Sequence, residues 1–406
     1  MAEKDYPIRH IFQDHFGNFK KTHFLDENMQ KAADCISKCK TGELGFTESE
    51  CPNCGNKQIH YASCNNRNCP CCQTPLQAKW VAQKRSECIP GCNYYHAVFT
   101  IPHELISLFL DNRKIICNIL FKAASDTILK ICANPEYLGA KPGIIAVLHT
   151  WTQELVLHPH LHCIITGGGL TNDGKFVTVQ DVRKRRGKKP LSKQKFFIPV
   201  NLLSHAFKKI FITLLRNARD AKQLSYSSNA PESADSRIWA DFCKNLESKK
   251  WVVFIKETYE RKEDGNAIDY LGRYVFRTAI SNNRVEYDGK KVIIKYTDRK
   301  LGQKKVSVLT PEQFIQRFLN HVLLKGFVRV RCYGILANSC KTANLKKIYA
   351  MLKLQPYVPS PLKTMNTREL LMFLYGRDIE CCPECGHRLC RIRGVRMVRP
   401  PNLSTG

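Results

Sequence analysis

Ten of the chain's 20 cysteines fall within its first 92 residues: Cys35, Cys39, Cys51, Cys54, Cys64, Cys69, Cys71, Cys72, Cys88 and Cys92. The opening stretch, MAEKDYPIRHIFQDHF, has no apolar core of a secretory signal, so an oxidising compartment is not expected. Under reducing conditions, clustered thiols read as a metal site. Cys51-Pro-Asn-Cys54-Gly55 is a CxxC knuckle with a glycine placed for the tight turn. Cys69-Pro-Cys-Cys72 is a second knuckle a short way downstream. The four thiolates of Cys51, Cys54, Cys69 and Cys72 suit one tetrahedral Zn2+. Cys35, Cys39 and Cys64, with His60 nearby, are left as candidates for a second zinc, while Cys71 inside the knuckle is not counted as a ligand. The run YASCNNRNCPCCQ is polar and has little apolar periodicity, so its order is expected to depend on metal. Cys382-Pro-Glu-Cys385-Gly resembles half a zinc ribbon, which His387 or Cys390 would close.

Charge narrows the partner. There are 64 Lys and Arg against 35 Asp and Glu, a formal excess of +29. A hydrophobic share of 43% and an aromatic share of 10% argue for a folded protein over a disordered basic tail. No apolar run nears the roughly 18 residues of a membrane span. A polyanion is therefore the expected partner, with no membrane and a cytoplasmic location. The segment DVRKRRGKKPLSKQK, residues 181–195, carries eight basic residues and one acid; Lys184, Arg185 and Arg186 are its candidate DNA contacts. From Gln313 to Arg368 there are ten Lys or Arg and no acid. Phe327 and Tyr333 within it are candidates for stacking on bases. Arg391, Arg393, Arg396 and Arg399 follow near the end.

The pattern predicts an α+β chain in three parts: a zinc-binding, DNA-binding region over 1–92, a catalytic domain over 93–340, and a basic C-terminal segment over 341–406. Residues 94–101 read as a strand, 103–132 as helices, and Pro142-Gly143 as a turn. Ile144–Leu157 and His160–Thr166 read as a hairpin closed near Pro159, with Gly167-Gly-Gly169 ending its second strand. Further helices are expected over 202–217, 266–281 and 311–324, a strand over 251–257, and a hairpin over 284–308 around Asp288-Gly289.

Two constellations carry chemistry. In His158-Pro-His160-Leu-His162, a strand would set His160 and His162 on one face and turn Leu161 into the core. Paired imidazoles can hold a divalent metal and leave positions for substrate oxygen. In IDYLGRYVFRTAIS, residues 268–281, a helix would place Tyr270, Tyr274, Arg277 and Ser281 in one sector. Ile268, Leu271, Val275 and Ala279 form the opposite, core-facing side. Two phenols one turn apart can attack a phosphodiester in succession, each giving a phosphotyrosine.

Taken in order, the knuckles, YASCNNRNCPCCQ, HPHLHCIITGGGL, YLGRYVFRTAISNNRV and RFLNHVLLKGFVRVRCYGILA resemble the rolling-circle insertion-sequence transposases. These are the two-tyrosine HUH class with an N-terminal zinc-binding domain, the insertion-sequence-91 family. The resemblance covers roughly residues 10–340. It implies a ferredoxin-like antiparallel sheet bearing the histidines, and nicking and joining of single-stranded DNA at element ends. It also implies His160 and His162 as ligands of Mg2+ or Mn2+, Tyr270 and Tyr274 as nucleophiles, and Arg273 and Arg277 as DNA contacts. Gln153 is the first candidate for a third metal ligand and His158 the second. Phe276 and Asn283, like Phe46 and Asn68, stand where the family often has histidine. A rolling-circle replication initiator and a non-enzymatic zinc-ribbon regulator are the competing readings.

Overall fold

A computed structural model describes residues 6–72, 74–189, 197–226, 235–259, 279–298, 301–376 and 378–396. In chain order the first elements are α1 (Pro7–Thr22), α2 (Glu27–Lys38), β1 (Gly45–Glu50), β2 (Lys57–Tyr61) and α3 (Thr74–Ser86). Next come β3 (Tyr94–Thr100), α4 (Ile106–Asp111), α5 (Arg113–Ala133), β4 (Lys141–Trp151), β5 (Leu157–Leu170) and β6 (Phe176–Thr178). They are followed by α6 (Val179–Arg185), α7 (Val200–Asp220), α8 (Ser236–Ser248) and β7 (Val253–Tyr259). After residue 278 come β8 (Val285–Tyr287), β9 (Val292–Thr297), β10 (Lys304–Leu309), α9 (Pro311–Leu319) and β11 (Val330–Gly334). The last elements are α10 (Lys341–Met351), α11 (Thr367–Tyr375) and β12 (Cys390–Arg396).

The central sheet is antiparallel, in the order β11-β4-β5-β3-β7, with β6 paired to the end of β5. Its two longest strands are buried on both faces, and period-2 alternation sorts their residues cleanly. Ile144, Ala146 and Leu148 of β4 lie opposite Ile165, Cys163 and Leu161 of β5. All six join the main core with Leu120 and Ile128 of α5 and Phe207 and Phe211 of α7. The other face carries Ile145, Val147 and His149 against Ile164, His162 and His160. Part of it is covered by Ile335, Leu336, Leu345 and Ile348.

A second core joins parts of the chain that the sequence separates. Ile8, Ile11, Phe12, Phe16 and Phe19 line one side of α1. They pack with Ile36 of α2, Val292 and Ile294 of β9, and Phe314 and Phe318 of α9. The N-terminal helices thus close over residues 279–322. The third sheet, β12-β1-β2, brings the C-terminal segment back to the N-terminal region.

Several local expectations shift. The β4–β5 turn lies at 152–156, where Thr152 N–H donates to Val156 O at 2.9 Å and Leu155 takes a φ of 59°. Pro159 instead sits inside β5, buried. Pro142-Gly143 is within β4, at a register shift. Gly167–Gly169 continue β5, and close packing calls for glycine there: a Cβ at Gly169 would meet Lys141 O at 2.5 Å and one at Gly167 the Tyr95 ring at 2.7 Å. The 284–308 hairpin gains a third strand. The helix expected over 266–281 falls largely outside the described residues, while Ala279 and Ile280 are buried in the second core.

His321 pins the β4–β5 turn. Its Nε2–H donates to Leu155 O at 3.1 Å, which leaves Nδ1 to accept from the Thr150 hydroxyl at 3.1 Å. Burial lowers its pKa to about 4. With the folded value below the unfolded one of about 6.5, the unfolded chain takes up the proton first. Stability from this group is complete above about pH 6.5 and declines toward pH 4. Urea titrations across that range should therefore show wild type losing about a few kcal/mol more than His321→Gln on acidification. Parallel curves would remove His321 from the account.

Candidate metal centres and active site

His149, His160 and His162 present ring nitrogens that all lie within 4.8 Å of one another. The ladder builds this group: His149 is opposite His160, and His162 lies one same-face position along β5. His149 and His162 are buried and His160 half-buried. The His149 ring stacks on Trp151 at 4.7 Å between centroids. His160 Nδ1 donates to the His158 carbonyl at 2.6 Å, which leaves its lone pair on Nε2. His162 Nδ1 meets His96 Nε2 of β3 at 2.9 Å, so ligation through His162 Nε2 goes with Nδ1–H donation to His96. Three neutral imidazoles at such spacing can hold a divalent cation and leave positions open.

The third imidazole is His149, not Gln153 or His158. Gln153 sits in the β4–β5 turn, where its amide Nε2 donates to Thr297 O at 3.1 Å and its Oε1 accepts from Thr297 N at 3.3 Å. Both ends of the carboxamide are thereby engaged with β9. His158 contributes its carbonyl, and burial followed by the nearby His103 lowers its side-chain pKa. His96 escaped the sequence reading because pairing of β3 with β5, distant in sequence, selects it, and His149 because its place depends on where the β4–β5 turn falls. Alternation in Ile145, Val147 and His149 is the one local hint.

The two N-terminal knuckles do not share a site. Cys69 and Cys72 converge with Cys39 and Cys64, all four sulfurs within 4.8 Å. Cys51 and Cys54 converge instead with Cys382 and Cys385. Two separate elements divide them: the first set is built into the second core beside α2, and the other into the β12-β1-β2 sheet. Cys35 is half-buried at the edge of the first set, and neither His387 nor Cys390 belongs to the other. A tetrahedron with Zn–S bonds near 2.3 Å has S···S edges of about 3.8 Å. The observed separations fit it: Cys64–Cys72 3.8 Å, Cys51–Cys385 3.4 Å, Cys54–Cys382 3.6 Å and Cys54–Cys385 3.5 Å. Backbone amides of Cys64, Asn66 and Cys71 point at the sulfurs of Cys39, Cys64 and Cys69, at 3.5, 3.4 and 3.4 Å. Such N–H···S bonds stabilise thiolates.

The basic residues divide between two roles. Lys184, Arg185 and Arg186 are exposed, at the end of α6 and just beyond it, a helix started by the Thr178–Asp181 capping box. Several arginines in or facing the acid-free stretch instead serve carbonyls: Arg113 donates to Asn320 O and Val322 O, Arg317 to Glu154 O, and Arg67 to Phe327 O. Burial, with Arg67 nearby, lowers the Arg329 pKa to about 9. Phe327 is a core residue under the Arg331 guanidinium, 5.3 Å away, and Tyr333 packs against the same core. Neither is presented to a base. Tyr270, Tyr274, Arg273 and Arg277, with Phe276, lie outside the described residues.

Comparison with known proteins gives a family described as "Putative transposase" over residues 143–343, and one described as "Transposase zinc-binding domain" over residues 11–101. A Sinorhizobium fredii protein named "Putative transposase y4qJ" is 34% identical over 95% of this chain and 94% of its own. The transposase for insertion sequence element IS801 from Pseudomonas savastanoi pv. phaseolicola is 26% identical over 94% of this chain and 88% of its own. Among solved structures, a conjugative relaxase TRWC in complex with oriT DNA is 11% identical over 44% of this chain and 68% of its own. Its TM-score of 0.20 is too low to define a shared fold.

Titration with Mn2+, a cation that prefers nitrogen and oxygen to thiolate, separates the ligand assignments. His149→Ala should abolish measurable Mn2+ binding, His96→Phe should weaken it about 10–100-fold, and Gln153→Ala should leave it within about threefold. Retained binding in His149→Ala together with loss in Gln153→Ala would return the third position to Gln153.

Proposed function

The chain belongs to the insertion-sequence-91 family of transposases, and we propose that it nicks and joins single-stranded DNA at insertion-sequence ends through 5′-phosphotyrosine links. The observation that carries the reading is the convergence of His149, His160 and His162 on the sheet face opposite α5 and α7. In this reading the central antiparallel sheet is the ferredoxin-like HUH core. A non-enzymatic zinc-ribbon regulator has no use for three converging imidazoles.

Mg2+ or Mn2+ held by these imidazoles would polarise a non-bridging oxygen of the scissile phosphate. The Tyr270 or Tyr274 Oη, losing its proton, forms a bond to that phosphorus while the P–O3′ bond breaks. The 3′-oxygen leaves as the hydroxyl, and the 5′-phosphate stays on the tyrosine. Rejoining reverses the balance: an incoming 3′-OH attacks the phosphotyrosine and the phenol departs with a proton. A second tyrosine lets one strand remain attached while another is cut. His96 and the His158 carbonyl hold the metal-facing rings of His162 and His160 in orientation. Arg273 and Arg277 lie near the nucleophiles in sequence and take phosphate charge, and Lys184, Arg185 and Arg186 hold the strand further out. Phe254 suits a stacking role. It lies in the cross-strand row of Val98 and His162, on the imidazole face, and is 56% exposed.

The test is incubation of labelled single-stranded DNA from element ends with Mg2+ or Mn2+, read on a denaturing gel. Wild type should give a covalent protein–DNA band. Tyr270→Phe/Tyr274→Phe should reduce it by at least about 1000-fold while binding persists. Tight binding with neither adduct nor nick under any metal condition would defeat the proposal.

A further inference from the structure

The geometry points to a second structural zinc site, formed by Cys51, Cys54, Cys382 and Cys385, that clasps the C-terminal segment onto the N-terminal region. The two contributing pairs are matching turns. In one, Gly55 N–H donates to Cys51 O at 2.9 Å and Gly55 has φ +69°; in the other, Gly386 N–H donates to Cys382 O at 2.9 Å with φ +75°. Each turn needs the left-handed conformation that glycine alone adopts at little cost. The sulfurs stand 3.4–3.6 Å apart in the cross pairs Cys51–Cys385, Cys54–Cys382 and Cys54–Cys385. These values are far beyond a disulfide bond of about 2.05 Å and close to a zinc tetrahedron edge. Asn56 Nδ2 adds a donor 3.7 Å from Cys382 Sγ. An all-thiolate set selects a soft or borderline cation such as Zn2+ over Mg2+.

The surrounding sheet cannot hold itself together by apolar burial. β1 is half-buried along most of its length, and Ile59 and Tyr61 of β2 are 51% and 47% exposed. By contrast Cys51 and Cys382, one thiol from each pair, are 1% and 2% exposed, while Cys385 is half-buried and Cys54 exposed. A small sheet without a hydrophobic face is marginal in water. The ladder joins Glu48 to Arg393 and Glu50 to Cys390, with a register shift between Glu48 and Ser49. Ion pairs from Arg368 to Asp378 and Glu380 tie the segment only to α11, its neighbour in sequence. A metal binding only the assembled form shifts the balance toward closure. Closure also lays the arginine-bearing β12 beside the acidic strand GFTESE.

The experiment is zinc analysis of the full chain purified without chelator. His160→Ala/His162→Ala is used as background, so that the imidazoles hold none. The background protein should carry about two zinc ions per chain. Adding Cys382→Ser/Cys385→Ser, or Cys54→Ser alone, should leave about one, held by Cys39, Cys64, Cys69 and Cys72. Cobalt substitution should show thiolate-to-metal absorption falling by about half in the same variants. Trypsin should cut between Arg388 and Arg396 about tenfold faster once the clasp is gone. One ion per chain in the background protein, unchanged metal content in the cysteine variants, or loss of both ions together would each overturn the clasp. None of these readouts depends on nicking.

Discussion

The antiparallel ladder between β4 and β5 is the interaction on which the functional face depends. One register sets Leu148 against Leu161 toward the helices and His149 against His160 on the other side. A slip of one residue would exchange the two faces, turning imidazoles into the apolar core against α5 and α7 and leucines onto the opposite face. The register is therefore locked by hydrophobic burial, and the imidazole geometry follows from it. Oxygen-seeking chemistry thus rests on a constraint supplied by Leu148, Cys163, Ile165 and the helices behind them. The hydrogen bonds from His160 to the His158 carbonyl and between His162 and His96 add orientation to that placement.

How far this could be seen in the sequence depends on range. The same-face pairing of His160 and His162 is local, because strand periodicity alone fixes it. His149 and His160 stand on either side of a turn, and the contribution of His149 depends on where that turn falls. Pro159 looks like a turn residue, and taking the turn there moves Gln153 onto the strand and His149 out of register. The actual turn at 152–156 is stabilised by Thr152 and by His321, a residue with no mark in the sequence. The knuckles show the same limit. CxxC spacing identifies each pair of thiols, but which pairs share a centre is a tertiary matter. Here Cys51–Cys54 joins a pair near the other end of the chain, because β12 returns to β1.

Net charge alone said too little about where the basic residues act. Part of the +29 excess is internal carpentry: Arg67, Arg113 and Arg317 satisfy carbonyls at loop and helix ends, with Arg329 buried near Arg67. A guanidinium suits this because its fork of donors can serve two carbonyls at once, as Arg113 does. The exposed remainder, including Lys184, Arg185 and Arg186, faces solvent and is available to phosphate. An acid-free stretch therefore overstates the nucleic-acid surface in proportion to its buried arginines.

The three side-chain clusters also sort metals by chemistry. The two thiolate sets have sulfurs at tetrahedral spacing and leave no ligand position for a substrate. The imidazole set has three ligand nitrogens, two of them on buried rings and one on the half-buried His160. Zinc bound by four sulfurs is closed and inert, which suits holding a polar loop or a distant strand. A three-nitrogen set leaves coordination positions that water or a substrate oxygen can fill. Exchanging the two would undo both: thiolates at the sheet face would saturate the ion, and imidazoles in the β12-β1-β2 sheet would leave the clasp open. The two four-sulfur sets thus suit a closed, structural ion, and His149, His160 and His162 suit an open one.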